Sequence, residues 1–226
     1  MFAVLLLGLS GPAFSVRTAQ AQAPAGDPSL AQRRMARMER HLALGRAQAA
    51  LGHPTLAQRH FEDALHENPS SPEPYLELGR TFLALGRHAD AVTVLAAGRH
   101  RAPDDTLLIL ALAEALELTA RGQDALRLLR EATQRHPAHA GLRLRHGETA
   151  QRMGAWSEAA NAFAGILDLA RRDGAVPTEL VETARQNLRA LGIVSGGAHP
   201  STRRCDPPDG TLDGRWQRAL AACGGP

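Results

Sequence analysis

PEPYLELGRTFLALGRHADAVTVLAAGRHRAPDD, residues 72–105, is one of four units of 34 residues that follow each other in register. The others are 38–71, 106–139 and 140–173. Small residues fall into columns. The eighth position holds Gly45, Gly79, Ala113 and Gly147, and the fifteenth Gly52, Gly86, Ala120 and Gly154. The twentieth is alanine throughout (Ala57, Ala91, Ala125, Ala159), and the twenty-fourth is bulky and apolar (Phe61, Leu95, Leu129, Phe163). Pro69, Pro103 and Pro137 occupy the thirty-second position of the first three units. Self-similarity at a fixed period of this size marks a stacked repeat and takes precedence over any local reading.

Within 72–105, Tyr75, Leu76, Leu78, Gly79, Phe82, Leu83 and Leu85 recur at helical spacing, and Gly86 offers an end in the left-handed region. Ala89, Val92, Leu95 and Ala96 mark a second helix, which must stop before Pro103 because proline disfavours helical geometry in the residue preceding it. Small side chains at the eighth and twentieth positions let two antiparallel helices approach closely. The bulky twenty-fourth residue fills the space beside that approach.

The pattern resembles the tetratricopeptide repeat, a helix–turn–helix unit of this period. Leu78, Gly79, Phe82, Ala91 and Pro103 carry the resemblance most fully. The outer units depart from it. The fourth position is Tyr75 and Ile109 in the middle units but His41 and Arg143 in the outer ones. His146 stands where the other units have Leu44, Leu78 and Leu112, and Arg171 replaces the proline. Terminal repeats tolerate such changes because one of their faces meets solvent. The expected fold is all-α, a right-handed superhelical solenoid of about four repeats, since a single unit cannot bury its own apolar faces.

Outside the array, residues 22–37 form a linker and the start of the first helix, with Asp27 or Ser29 as its cap. Residues 174–191 contain an amphipathic stretch (Leu180, Val181, Ala184, Leu188) suited to capping the last unit. Residues 192–226 are rich in Gly, Pro and charge and are expected to be a flexible tail. At the other end, Met1–Phe14 is apolar and is followed by Ala19-Gln20-Ala21, a small-x-small site. Residues 1–21 therefore read as a signal peptide, too short to span a bilayer, and the mature chain is expected in the periplasm or outside the cell. A misassigned start would leave it cytoplasmic. No integral membrane span is expected in the mature chain.

The net charge is +3 and every basic residue is arginine. Arg33, Arg34, Arg37 and Arg40 give the first helix a basic face, but aromatic residues make up only 4% of the chain and none stacks nearby in sequence. A solvated helix face fits better than a nucleic-acid or anionic-membrane site. There is no glycine-rich phosphate loop, nucleophile elbow, zinc-protease helix or dinucleotide fingerprint, so no enzymatic activity and no cofactor is expected. His136 and His139 are the nearest approach to a ligand pair, and with no third ligand in sequence reach they do not make a metal site. Cys205 and Cys223 are candidates for a disulfide in an oxidising compartment, with free thiols or a bridge to a partner as the alternatives.

The resemblance implies a scaffold for a protein or peptide, held in a concave groove lined by the first helix of each unit. In the family the second, fifth, ninth and twelfth positions of a unit face that groove. Here the fifth column is an apolar ladder, Leu42, Leu76, Leu110 and Leu144. The ninth is Arg46, Arg80, Glu114 and Glu148, basic in the first half and acidic in the second, and Leu83 and Glu117 stand in the twelfth. Leu42 and Arg46 replace the lysine and asparagine with which some relatives clamp a terminal carboxylate. The expected ligand is an apolar-anchored peptide or amphipathic helix carrying both charge signs. Two alternatives stay open: the ladder packs within the array and the contact surface is convex, or the groove holds the chain's own tail or a second copy. The oligomeric state is not legible.

Overall fold

The computed structural model of the protein describes residues 29–174 and 176–192, and among these it shows helices and no strands. The helices are α1 Leu30–Ala50, α2 Pro54–Glu67, α3 Pro72–Ala84, α4 His88–Arg101 and α5 Thr106–Leu118. They continue as α6 Gly122–Arg135, α7 Ala140–Arg152, α8 Trp156–Asp173 and α9 Thr178–Ala190. The expected leader, the tail and the Cys205–Cys223 pair lie outside the described residues.

Local sequence sets the helix limits. Ser29 begins α1 with a capping box, accepting from the Gln32 N–H while the Gln32 side chain accepts from the Ser29 N–H. Pro54 and Pro72 sit in first turns, where their missing N–H costs nothing. Asp105 caps α5 by accepting from the N–H groups of Leu107 and Leu108 at 2.9 and 3.1 Å. The turn inside each unit takes the fifteenth residue into the left-handed region: φ is 77° at Gly52, 72° at Gly86 and 74° at Gly154. The third unit has Ala120 there, at φ 58°, so its methyl group sits in a conformation that L-residues adopt at a cost.

The small columns are explained by one contact. A methyl group added to Gly45 would lie 2.4 Å from Phe61, one at Gly79 2.4 Å from Leu95, and one at Gly147 2.5 Å from Phe163. In these three units the twenty-fourth residue thus stands directly over the eighth. The twentieth-column alanines are wholly buried beside it. This fit of a lone hydrogen against a bulky side chain places α1 on α2, α3 on α4 and α7 on α8.

Successive units stack so that each second helix packs on the next first helix, and first helices also touch each other along the array. Second helices make no comparable contact with one another among the described residues. First helices crowd and second helices splay, so the layer of α1, α3, α5 and α7 lies on the inside of the curve. The main core runs from Met38 to Leu142. A second cluster, built on Phe163, Ile166, Ala184 and Leu188, seats α9 against α8.

Candidate functional site

The inner face differs from the open apolar ladder expected of the fifth column. Leu42 is 2% exposed and Leu76 6%, and both belong to the main core. Leu110 and Leu144 are half-buried and pack against the two clusters. The correction has a simple cause. Leu42 and Leu76 turn into the core that the first three units share, so packing between helices takes up the positions expected to line the groove. A charge placed at Leu76 would therefore test folding rather than ligand binding.

The charged columns are also partly used within the array. Arg46 forks onto the next unit, donating from Nε to Glu77 Oε1 at 2.8 Å and from Nη2 to Glu73 Oε1 at 2.5 Å. These hydrogen bonds, to Glu73 first and then Glu77, raise its pKa above the ordinary arginine value. Glu117, with a side chain 10% exposed, accepts from Arg145 Nη2 at 2.9 Å, from Arg152 Nη2 at 2.8 Å and from the Thr149 hydroxyl. It ties the third unit to the fourth. Glu148 lies 3.8 Å from Arg145. Only Arg80 and Glu114 among the ninth-column residues are exposed with no hydrogen-bond or ion-pair partner among the described residues.

Two apolar residues outside the expected set complete the face. Leu107 is 50% exposed and Leu118 51% exposed. With Leu110 and Glu114 they occupy positions 107, 110, 114 and 118, three to four apart, so all lie on one side of α5. Leu83 of α3 is half-buried in the twelfth position, next to Arg80. The second column held the signal for Leu107, being Glu39, Glu73 and Gly141 in the other units. Beyond α5, a recess of about 430 Å³ is bounded by Arg145, Glu148, Gln151 and Arg152 of α7. The inner surface thus carries an apolar patch with one free carboxylate in it, one free guanidinium beside it and a polar recess after it.

The unexpected His146 is buried in a second polar tie. Its Nε2 lies 2.7 Å from Glu158 Oε1, and Arg130 grips the same carboxylate with two hydrogen bonds of 2.7 Å. Arg130 first, and then His146, hold the Glu158 carboxyl below its ordinary pKa. The other ring nitrogen of His146 is 3.3 Å from the Thr133 hydroxyl, which donates to the Arg130 carbonyl. His139 accepts from the Leu142 N–H at 3.1 Å and so caps α7, while His136 faces Asp104 at 3.7 Å.

A family model described as Tetratricopeptide repeat matches residues 41–116, the stretch that holds most of this inner face. Residues 41–116 carry the tetratricopeptide repeat. Among solved structures, a thermophilic tetratricopeptide protein of Thermus thermophilus is 26% identical, with a TM-score of 0.55 over 69% of this chain and 84% of that one. MamA from Desulfovibrio magneticus RS-1 is 18% identical, with a TM-score of 0.53 over 69% of this chain and 93% of that one. YrrB, described as a tetratricopeptide protein with an unusual peptide-binding site, is 15% identical with a TM-score of 0.50, over 68% and 77% of the two chains. The last two likenesses are of fold alone. No curated protein matches the sequence. The array has the architecture of a protein-interaction scaffold, and its family is generally non-enzymatic.

Proposed function

We propose that the chain is an exported, non-enzymatic scaffold that binds a segment of a partner protein on the inner face of its array, centred on α3 and α5. The observation that carries this reading is the exposed pair Leu107 and Leu118, held on one side of α5 around an unpaired Glu114 and across from an unpaired Arg80. Burying two half-exposed leucines supplies affinity. A free charge of each sign fixes direction, because a reversed ligand would meet like charges. The bound segment lies with an acidic group toward Arg80 and a basic group toward Glu114. Export rests on the apolar run Met1–Phe14 followed by Ala19-Gln20-Ala21, and mature protein from cells should begin near Gln22.

Co-purification from the native host, with partner identity read by mass spectrometry, tests the site. The double variant Leu107→Asp with Leu118→Asp should remain folded and lose a wild-type partner by at least about tenfold, since hot-spot anchors dominate such interfaces. Leu51→Asp with Leu56→Asp, at exposed positions of the α1–α2 hairpin, should keep it. Equal recovery from both variants would place the contact elsewhere. Recovery of only the chain itself would replace the scaffold reading with self-association.

A further inference from the structure

In the first unit, the fourth-position His41 of α1 meets His60 and Asp63 of α2. One ligand-competent atom from each residue lies within 4.8 Å of the other two. His41 Nδ1 is 3.6 Å from Asp63 Oδ2, and the two imidazole rings are 6.1 Å apart between centroids. The Nδ1 atoms of both histidines are shielded from solvent and have no hydrogen-bond partner among the described residues. Buried polar nitrogens are rarely left in that state without a reason. A proton shared between His41 and Asp63 would answer for one nitrogen and leave that of His60 unexplained.

We propose that His41, His60 and Asp63 bind a divalent transition-metal ion, zinc being the best match, and that the ion staples α1 to α2. Two imidazole nitrogens and a carboxylate oxygen are ligands that suit zinc, and water can take the fourth position because the Asp63 side chain is 59% exposed. Bond lengths near 2.0–2.2 Å put tetrahedral ligands roughly 3.3 Å apart. The His41–Asp63 separation is close to that already, and Asp63, on the exposed side, has freedom to close the rest. His60 and Asp63 are three apart on α2 and therefore share a face. The neighbouring rung of the same helix pair shows what this position is built to hold. One turn away, Arg37 donates to Glu67 at 2.8 and 2.9 Å and Arg34 lies 3.8 Å from the same carboxylate. There two guanidinium groups supply the positive charge between the helices, whereas the rung of His41, His60 and Asp63 offers donors to a cation and has no arginine of its own.

Isothermal titration with zinc chloride alone, in buffer alkaline enough to keep imidazoles neutral, tests this. The full chain is used with Cys205→Ser and Cys223→Ser, which removes thiolate ligands. One zinc per chain should bind, and zinc should raise the melting temperature in a concentration-dependent way. Asp63→Asn, nearly isosteric, should weaken binding by more than about tenfold, since losing a ligand costs at least as much as losing its outer-shell support. His41→Tyr restores the residue type that Tyr75 supplies in the second unit, so it should fold, lose the zinc and lose the zinc-dependent stabilisation. Unchanged zinc affinity in either folded variant, or no saturable binding to the parent, would overturn the site.

Discussion

The first helices of the third and fourth units, α5 and α7, occupy equivalent places in the array and solve them with opposite chemistry. The fourth, sixth, seventh and tenth positions of α5 are Ile109, Ala111, Leu112 and Ala115, all buried. In α7 they are Arg143, Arg145, His146 and Thr149. Each of those four has a partner: the Pro137 carbonyl for Arg143, Glu117 for Arg145 and Thr149, and Glu158 with Thr133 for His146. A repeat column therefore specifies a place and a volume, and polar residues can fill it when every donor finds an acceptor. The two solutions differ in what they respond to. Apolar packing answers to cavity volume, and paired charges answer to partner loss, salt and pH.

The largest expected effect separates them at the fourth position. Ile109→Ala should cost about 3 kcal/mol in chemical denaturation, through lost burial plus the cavity left behind. Arg143→Ala should cost less than about 1 kcal/mol, because its guanidinium bonds a carbonyl at an exposed edge. Equal costs would erase the contrast. Next in size is Glu117→Gln, expected at about 2 kcal/mol because it weakens three hydrogen bonds at a nearly buried carboxylate whose arginine partners are partly solvated. Hydrogen exchange should accelerate in α7, α8 and α9 while α3 stays protected, and uniform acceleration would contradict a local tie.

Ala120→Gly should stabilise by about 0.5–1 kcal/mol, since glycine relieves the left-handed turn and the lost entropy offsets only part of the gain. The converse substitution Gly86→Ala should destabilise by a similar amount, which thermal melts will read. The smallest effect is on pH. The folded-state pKa of Glu158 lies below its unfolded value, so its contribution is complete above the unfolded value, near 4.3, and is lost as pH falls through the folded one. Wild-type protein should thus lose stability more steeply below about pH 4 than Glu158→Gln does, and parallel curves would remove Glu158 from the account.

Much of the fold was legible because the repeat writes a single contact several times. Gly45 with Phe61, Gly79 with Leu95 and Gly147 with Phe163 are readable as columns, since spacing alone fixes which face of a helix a residue occupies. The groove was legible only in outline. Spacing placed Leu42 and Leu76 on the inner side, but whether a neighbouring helix covers them depends on how tightly first helices pack, which no column records. Arg46 and Glu117 were likewise readable as inward charges, while their partners Glu73, Glu77, Arg145 and Arg152 come from the adjacent unit. Leu107 stands in the second column, which the resemblance turns toward the groove, but a leucine there in one unit of four forms no ladder, and Leu118 lies in none of the groove columns. His41 and His60 lie 19 residues apart on two helices, so no local motif announces their meeting.

The central claim is that a partner segment lies along α3 and α5 on the inner face. Photo-crosslinking in the native host, with a photoreactive amino acid placed in turn at Leu118 on α5 and at exposed Thr93 on α4, tests it most directly. Covalent capture of one partner protein from Leu118 and none from Thr93 is the expected result. Capture from Thr93 with none from Leu118 would put the contact on the outer layer and contradict the claim.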